Sequence, residues 1–227
     1  MTDRDVGTQV YTSVTASDPA ALLPLQEALG YDLAQSLFVQ QHNLVLEGLT
    51  DLWYLEATAA LLRDAGIADL SENIALIPAN SAGKVVYFAT ILHAQSLKVA
   101  ALLDSDSAGE QAAKQETLVH TLGNKNILRT RDVCPGSVSK PEIEDLLRDT
   151  LVTIVNAEFG VNVVDLAGSQ PRRPILSIFE TKVEDFSKYR LAKAYIRWTR
   201  DHNASDLSGV ERNSWAKLIE RISSALT

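Results

Sequence analysis

The residues best able to do chemistry in this sequence are carboxylates placed just after apolar runs. Glu47-Gly48 follows the run at residues 43–46, and Asp51 stands at the head of the amphipathic stretch behind it. Asp104-Ser105-Asp106 follows the run at residues 98–103. In extended chain, residues i and i+2 point to one side. Asp104 and Asp106 are therefore expected to face one site, with Gly109 loosening the turn behind them. Carboxylates that converge on a crevice repel one another and resist ionisation unless they share a proton or a divalent cation. An all-oxygen donor set suits Mg²⁺ or Mn²⁺. His42, His93, His120 and His202 lack ligand spacing and read as surface or packing residues. Cys134, the single cysteine, has no His neighbour and reads as inert. Taken one at a time the acids have plainer readings: Glu47 as a strand-end charge, Asp51 as a helix-dipole partner, Asp104 and Asp106 as a solvated turn.

The elements that must position these acids follow from periodicity. Short apolar runs at residues 43–46, 73–78, 98–103 and 126–130 read as strands. Helical stretches at 50–65, 83–95 and 107–122 separate them, stopped by Gly66 after the first and Gly123 after the last. That β-α-β-α-β-α-β order predicts an α/β fold, a mainly parallel sheet flanked by helices. In such sheets ligands sit at the C-terminal strand ends, where Glu47 and Asp104 fall. Ahead of the sheet, residues 1–40 read as a lead-in, with a helix begun by Asp18-Pro19 and stopped at Gly30. Residues 41–135 form the expected sheet domain and 136–227 a mostly helical subdomain. Within the latter, 140–147 opens a helix, 151–168 is ambiguous, 170–174 is a loop, and 182–200 and 210–226 are amphipathic helices. Trp53 and Tyr54 read as packing residues, and Trp198 and Trp215 as pins between the two last helices.

Composition bounds the rest. The 227 residues are 46% apolar and 22% charged, enough for a substantial core. One cysteine excludes an intrachain disulfide and favours a reduced, cytoplasmic setting. No apolar run approaches the ~20 residues needed to span a bilayer. The 29 acidic against 21 basic residues, net charge −8, argue against a nucleic-acid partner on charge alone.

The motifs nevertheless carry a resemblance. Leu44-Val45-Leu46-Glu47-Gly48-Leu49-Thr50-Asp51, with Tyr54-Leu55 downstream, looks like the first motif of a Toprim domain, and Leu102 to Gly109 looks like its DxD motif. The wording is most similar to the OLD (overcoming lysogenization defect) family of nucleases. Pro78-Ala79-Asn80-Ser81-Ala82-Gly83 stands where that family has a glycine-rich loop, and Glu142-Ile143-Glu144-Asp145-Leu146-Leu147 where it has an acidic segment. The likeness covers residues 43–148 and is weak beyond. It implies a Toprim-type sheet and a DNA endonuclease using two divalent cations, Mg²⁺ or Mn²⁺. Asp104 would bridge the ions, with Asp106 and Glu47 on one. Asp51 and an acid of the helical part would complete the other. Glu142 and Glu144 are the candidates, two apart and so on different helix faces, with Glu144 preferred. The resemblance also implies a lysine in the C-terminal helices: Lys188, with Lys182 and Lys193 as rivals. Ser81 and Lys84 are expected to touch phosphate and Arg172 and Arg173 the DNA backbone. Two departures stand out. Asn80-Ser81 replaces glycines, and the ABC-type ATPase of OLD proteins has no counterpart here, since no GxxxxGK[ST] loop occurs. The chain is therefore expected to be the C-terminal nuclease region of an OLD-type protein, with an N-terminal ATPase region as partner, a stand-alone version being the alternative.

Two other readings remain open. One is a non-catalytic Toprim-like scaffold that binds nucleic acid or a protein. The other is a phosphotransferase-like domain, which would want an aspartate nucleophile after its first strand where Glu47 stands.

Overall fold

In the computed structural model, the structure describes residues 2–3, 7–8, 40–136 and 138–227. The chain divides into two units, Met1–Gln40 and Gln41–Thr227. In the first, two-residue strands Thr2–Asp3 and Gly7–Thr8 pair antiparallel. The helix expected at residues 18–30 lies outside the described residues.

The second unit is built on four parallel strands: β1 (His42–Leu46), β2 (Ile74–Pro78), β3 (Lys98–Leu103) and β4 (Ile127–Arg129). They lie in the order β2-β1-β3-β4. Leu46 is in register with both Pro78 and Leu102, so the ends of the two central strands, β1 and β3, are level. The parallel α/β class expected from the apolar runs is thus borne out. Leu44, Leu46, Ala100 and Leu103 are fully buried, because helices leave no wet face at the sheet centre.

Helices α1 (Leu49–Asp64) and α2 (Ala82–Ala94) each start directly after a strand end. The single helix expected over 107–122 is two, α3 (Ser107–Ala113) and α4 (Glu116–Leu122), divided at Lys114-Gln115. The acidic segment is a 3₁₀ turn, Ile143–Leu147, leading into α5 (Arg148–Phe159). The ambiguous stretch 151–168 therefore resolves as helix, α5 and then α6 (Val164–Ser169). The helix expected from residue 182 ends there instead: α7 is Ile175–Lys182, Asp185 takes a left-handed backbone (φ +48°), and α8 (Lys188–Asp201) starts afresh from a Ser187 cap. The last helix is α9 (Gly209–Leu226), capped by Ser208.

One hydrophobic cluster runs from Leu44 to Leu226, so α5–α9 pack onto the same core as the sheet. Trp215 is wholly buried in it. Trp198 stacks between Tyr195 and His202 of its own helix region, at 5.9 and 4.1 Å. Helix α8 lies along α1. Trp53 meets Tyr189 at 4.7 Å, Tyr54 meets Tyr195 at 5.4 Å, and the Thr58 and Tyr195 hydroxyls are 2.7 Å apart. This seam sets the two helix N-termini, bearing Asp51 and Lys188, side by side.

Candidate functional site

The site assembles where β1 and β3 end. The Asp104 N–H donates to Glu47 Oε2 at 3.3 Å, joining the two strand ends through a carboxylate. Asp51 sits in the first turn of α1, and its Oδ2 accepts the Gly48 N–H at 2.8 Å. It therefore serves as the helix-terminal acid of its plainer reading and also stands beside Glu47.

The helical half is tied in by a compact network. Thr130 Oγ donates to the Pro141 carbonyl at 2.5 Å, the Ser105 N–H reaches the Pro141 carbonyl and Thr130 Oγ at 2.9 Å each, and the Ile143 N–H donates to Asp104 Oδ1 at 2.9 Å. These bonds hold residues 141–143 against the strand ends and deliver Glu142 and Glu144. Because the segment is extended at Glu142 (φ −102°, ψ 171°) and 3₁₀ after it, both acids join the cluster, where a regular helix would have turned one away. Asp145 points elsewhere. It accepts the Ile175 N–H and contacts Arg148, whose guanidinium binds the carbonyls of Ala167, Gln170 and Arg173. That network was not singled out in the sequence; the i, i+3 spacing of Asp145 and Arg148 was its only signal.

Gly109 has a different role from the expected loosening. Its φ is not positive, but an added Cβ would stand 2.1 Å from the Asp104 carbonyl oxygen. Only glycine lets α3 close against the end of β3. Asp106 caps that helix, its Oδ1 accepting the Gly109 N–H at 2.7 Å. Asp106 is thus half-buried at the cluster's edge, where its charge still acts on Glu47.

The electrostatics follow from crowding. Burial pushes Glu47 up to about 7, with Asp51 and Asp106 adding to the rise. Burial and Glu142 take Asp51 to about 6. Burial raises Asp104 well above the usual range, reinforced by Asp51, Glu144, Glu47 and Glu142. Glu144 is fully buried and raised to about 8 by burial, Asp51 and Glu142. Neither of its carboxylate oxygens accepts a hydrogen bond from another residue. Lys188 is the cation among them. Its Nζ donates to Glu142 Oε2 at 2.5 Å. Burial works against its charge, but Glu144, Glu142 and Asp104 outweigh that and hold the ammonium protonated. Of the rival lysines, Lys193 lies over the Tyr189 ring at 4.4 Å and Lys182 ends α7.

Among the described residues, no three acid, imidazole or thiol side chains already form an ion-holding group. The donor chemistry nevertheless fits a hard divalent cation. It is all carboxylate, and Glu144 is a buried anion-forming group with no donor of its own.

The remaining candidates are scattered. Ser81 and Lys84 are exposed at the start of α2, at the same sheet edge, and neither side chain makes a hydrogen bond or ion pair among the described residues. Asn80 takes φ +68°, so asparagine, which tolerates the left-handed region, stands in for a glycine there. Arg172 is exposed, whereas the Arg173 guanidinium is engaged by Gln170 of its own loop and by Ser177 and Thr181 of α7. Burial pushes the Cys134 thiol up to about 12, consistent with an inert cysteine.

No family model and no curated protein matches the chain. A solved structure, the C-terminal region of the Xanthomonas campestris pv. campestris OLD protein, is similar at 11% identity and a TM-score of 0.49, covering 83% of this chain and 97% of that one. Among the described residues, no helix is long and apolar enough to cross a membrane.

Proposed function

We propose that the chain is a divalent-metal-dependent DNA endonuclease of the OLD/Toprim type, acting with an ATPase region as partner. The observation that carries this reading is the clustering of Glu47, Asp51, Asp104, Glu142 and Glu144, three of them buried, in a crevice at the ends of β1 and β3, with Asp106 at its edge. The motif resemblance of residues 43–148 supports it.

Asp104 and Glu47, with Asp106, would hold one cation, and Asp51 with Glu144 a second. Two such ions, roughly 3.5–4 Å apart, would activate water and neutralise charge on the phosphate. The chain's own residues supply the rest. Strand ends level to within one residue fix Glu47 and Asp104, and the Ile143 N–H holds Asp104 in place. Lys188 keeps a protonated amine at the crevice mouth, suited to the charge that develops on a phosphoryl oxygen. Burial shields Asp51, Asp104 and Glu144 from bulk water.

Supercoiled plasmid tests this. With Mn²⁺ or Mg²⁺ the chain is expected to nick or linearise it, and Asp104→Ala to abolish the reaction while melting normally. Intact plasmid over a wide range of protein and metal concentrations would overturn the reading for the isolated chain. The scaffold alternative is favoured by one fact, that among the described residues no three acids are preformed as an ion-holding group. A scaffold should take up no divalent ion in a manner dependent on Glu47 and Asp104.

A further inference from the structure

A second concavity opens beside the carboxylates. It is a cleft of about 620 Å³ between α3 and the segment 138–141, floored by Ser105 and walled on one side by Asp106. Ser105 adjoins Asp104, and Pro141 adjoins Glu142, so the cleft and the crevice share a rim. Three cationic side chains line it, Lys114, Arg131 and Lys140, against two carboxylates, Asp106 and Glu110. Glu110 is already paired with Arg131 and stands 3.9 Å from Lys114. Asp106 is committed to its helix cap. Among the described residues Lys140 has no acidic partner. Its Nζ donates only to the Ser107 hydroxyl, at 2.7 Å. Its backbone is also left-handed (φ +56°), a conformation that lysine rarely adopts. In a chain of net charge −8 this lining carries net positive charge, next in sequence to the acids that the proposed reaction uses.

We infer that this cleft binds the phosphodiester backbone of the DNA strand next to the bond that is cut. Lys140 and Lys114 are the phosphate contacts, while Arg131 keeps Glu110 neutralised beside them. The space suits about one or two nucleotides. An acidic chain could thus hold DNA locally, because the attraction comes from a short basic track leading to the crevice rather than from its overall surface. The inference rests on the nuclease reading, and its test separates the two.

The test is fluorescence anisotropy of a labelled 20-base-pair duplex with the full chain in Ca²⁺, measured as a function of salt. Lys114→Glu/Lys140→Glu is compared with Lys125→Glu/Lys217→Glu, which changes net charge equally away from the cleft. The cleft pair is expected to weaken binding to all sequences alike and to lower the salt slope by about two contacts, while the control pair leaves the slope unchanged. Lys114→Glu alone, at a side chain 75% exposed, guards against misfolding and should lower the slope by about one. Equal losses in both pairs, or none in the cleft pair, would overturn the inference while leaving plasmid cleavage by the unaltered chain to decide the nuclease reading.

Discussion

Burial, Asp51 and Glu142 oppose the ionisation of Glu144 more strongly than Lys188 favours it, and its carboxylate oxygens accept no hydrogen bond from another described residue. Its carboxyl, with those of Glu47 and Asp51, titrates higher in the folded chain (about 8, 7 and 6) than the ordinary 4.5, 4.5 and 3.8. The folded chain therefore binds these protons more tightly than the unfolded one. That stability is fully present below about pH 4 and is lost as pH rises through 6, 7 and 8. The metal-free protein should accordingly melt at falling temperature across that window. Glu144→Gln, which stays neutral, should flatten the upper end of the fall by a few degrees, since about 1 kcal/mol corresponds to roughly 2–4 °C in a chain of this size. Circular-dichroism melts from pH 5 to pH 9 give the comparison, and parallel curves would show that Glu144 does not ionise in this range. Lys188→Met makes a separate prediction. Cleavage should fall about 10²–10³-fold with DNA affinity nearly unchanged, as single-turnover kinetics would report; an equal loss in affinity would make Lys188 a binding residue instead.

At the scale of elements, the site depends on how closely α3 and the 141–143 segment approach the strand ends. Gly109→Ala would place a methyl against the Asp104 carbonyl, so the chain must open there. A loss of about 1–3 kcal/mol is expected, together with lost cleavage. Gly83→Ala, where a Cβ meets open space in the first turn of α2, should be neutral or stabilising by about 0.5–1 kcal/mol. Thermal melts of the two variants side by side decide this; equal stability would mean that α3 can shift freely. The strands and their trailing acids were legible because buried parallel strands are uniformly apolar and the acids follow them directly. The break at Lys114-Gln115 was not, since neither residue is a helix breaker. Nor was the fresh start of α8, which depends on a left-handed Asp185 that no local pattern marks. Glu142 and Glu144 would diverge in a regular helix, and only the 3₁₀ turn that forms there brings both inward. Lys188 was placed in the crevice by the α1–α8 seam, a long-range packing that periodicity alone does not reveal.

For the whole molecule, the net charge of −8 counts an acidic crevice with its protons removed. Two bound divalent ions would bring +4 to the place where DNA must approach, so affinity for DNA is expected to be weak in chelator and to rise with Mn²⁺ or Ca²⁺. Anisotropy titrations with and without metal check that ordering, and equal affinity in both would mean that DNA is held away from the crevice. On the function proposed above, these carboxylates hold divalent ions. Electron paramagnetic resonance of free Mn²⁺ during titration with the chain tests it most directly. About two ions taken up per chain, at least one of them lost in an Asp104→Ala variant that melts as a folded protein, is the predicted result. Identical free Mn²⁺ for the two proteins at every concentration would contradict it.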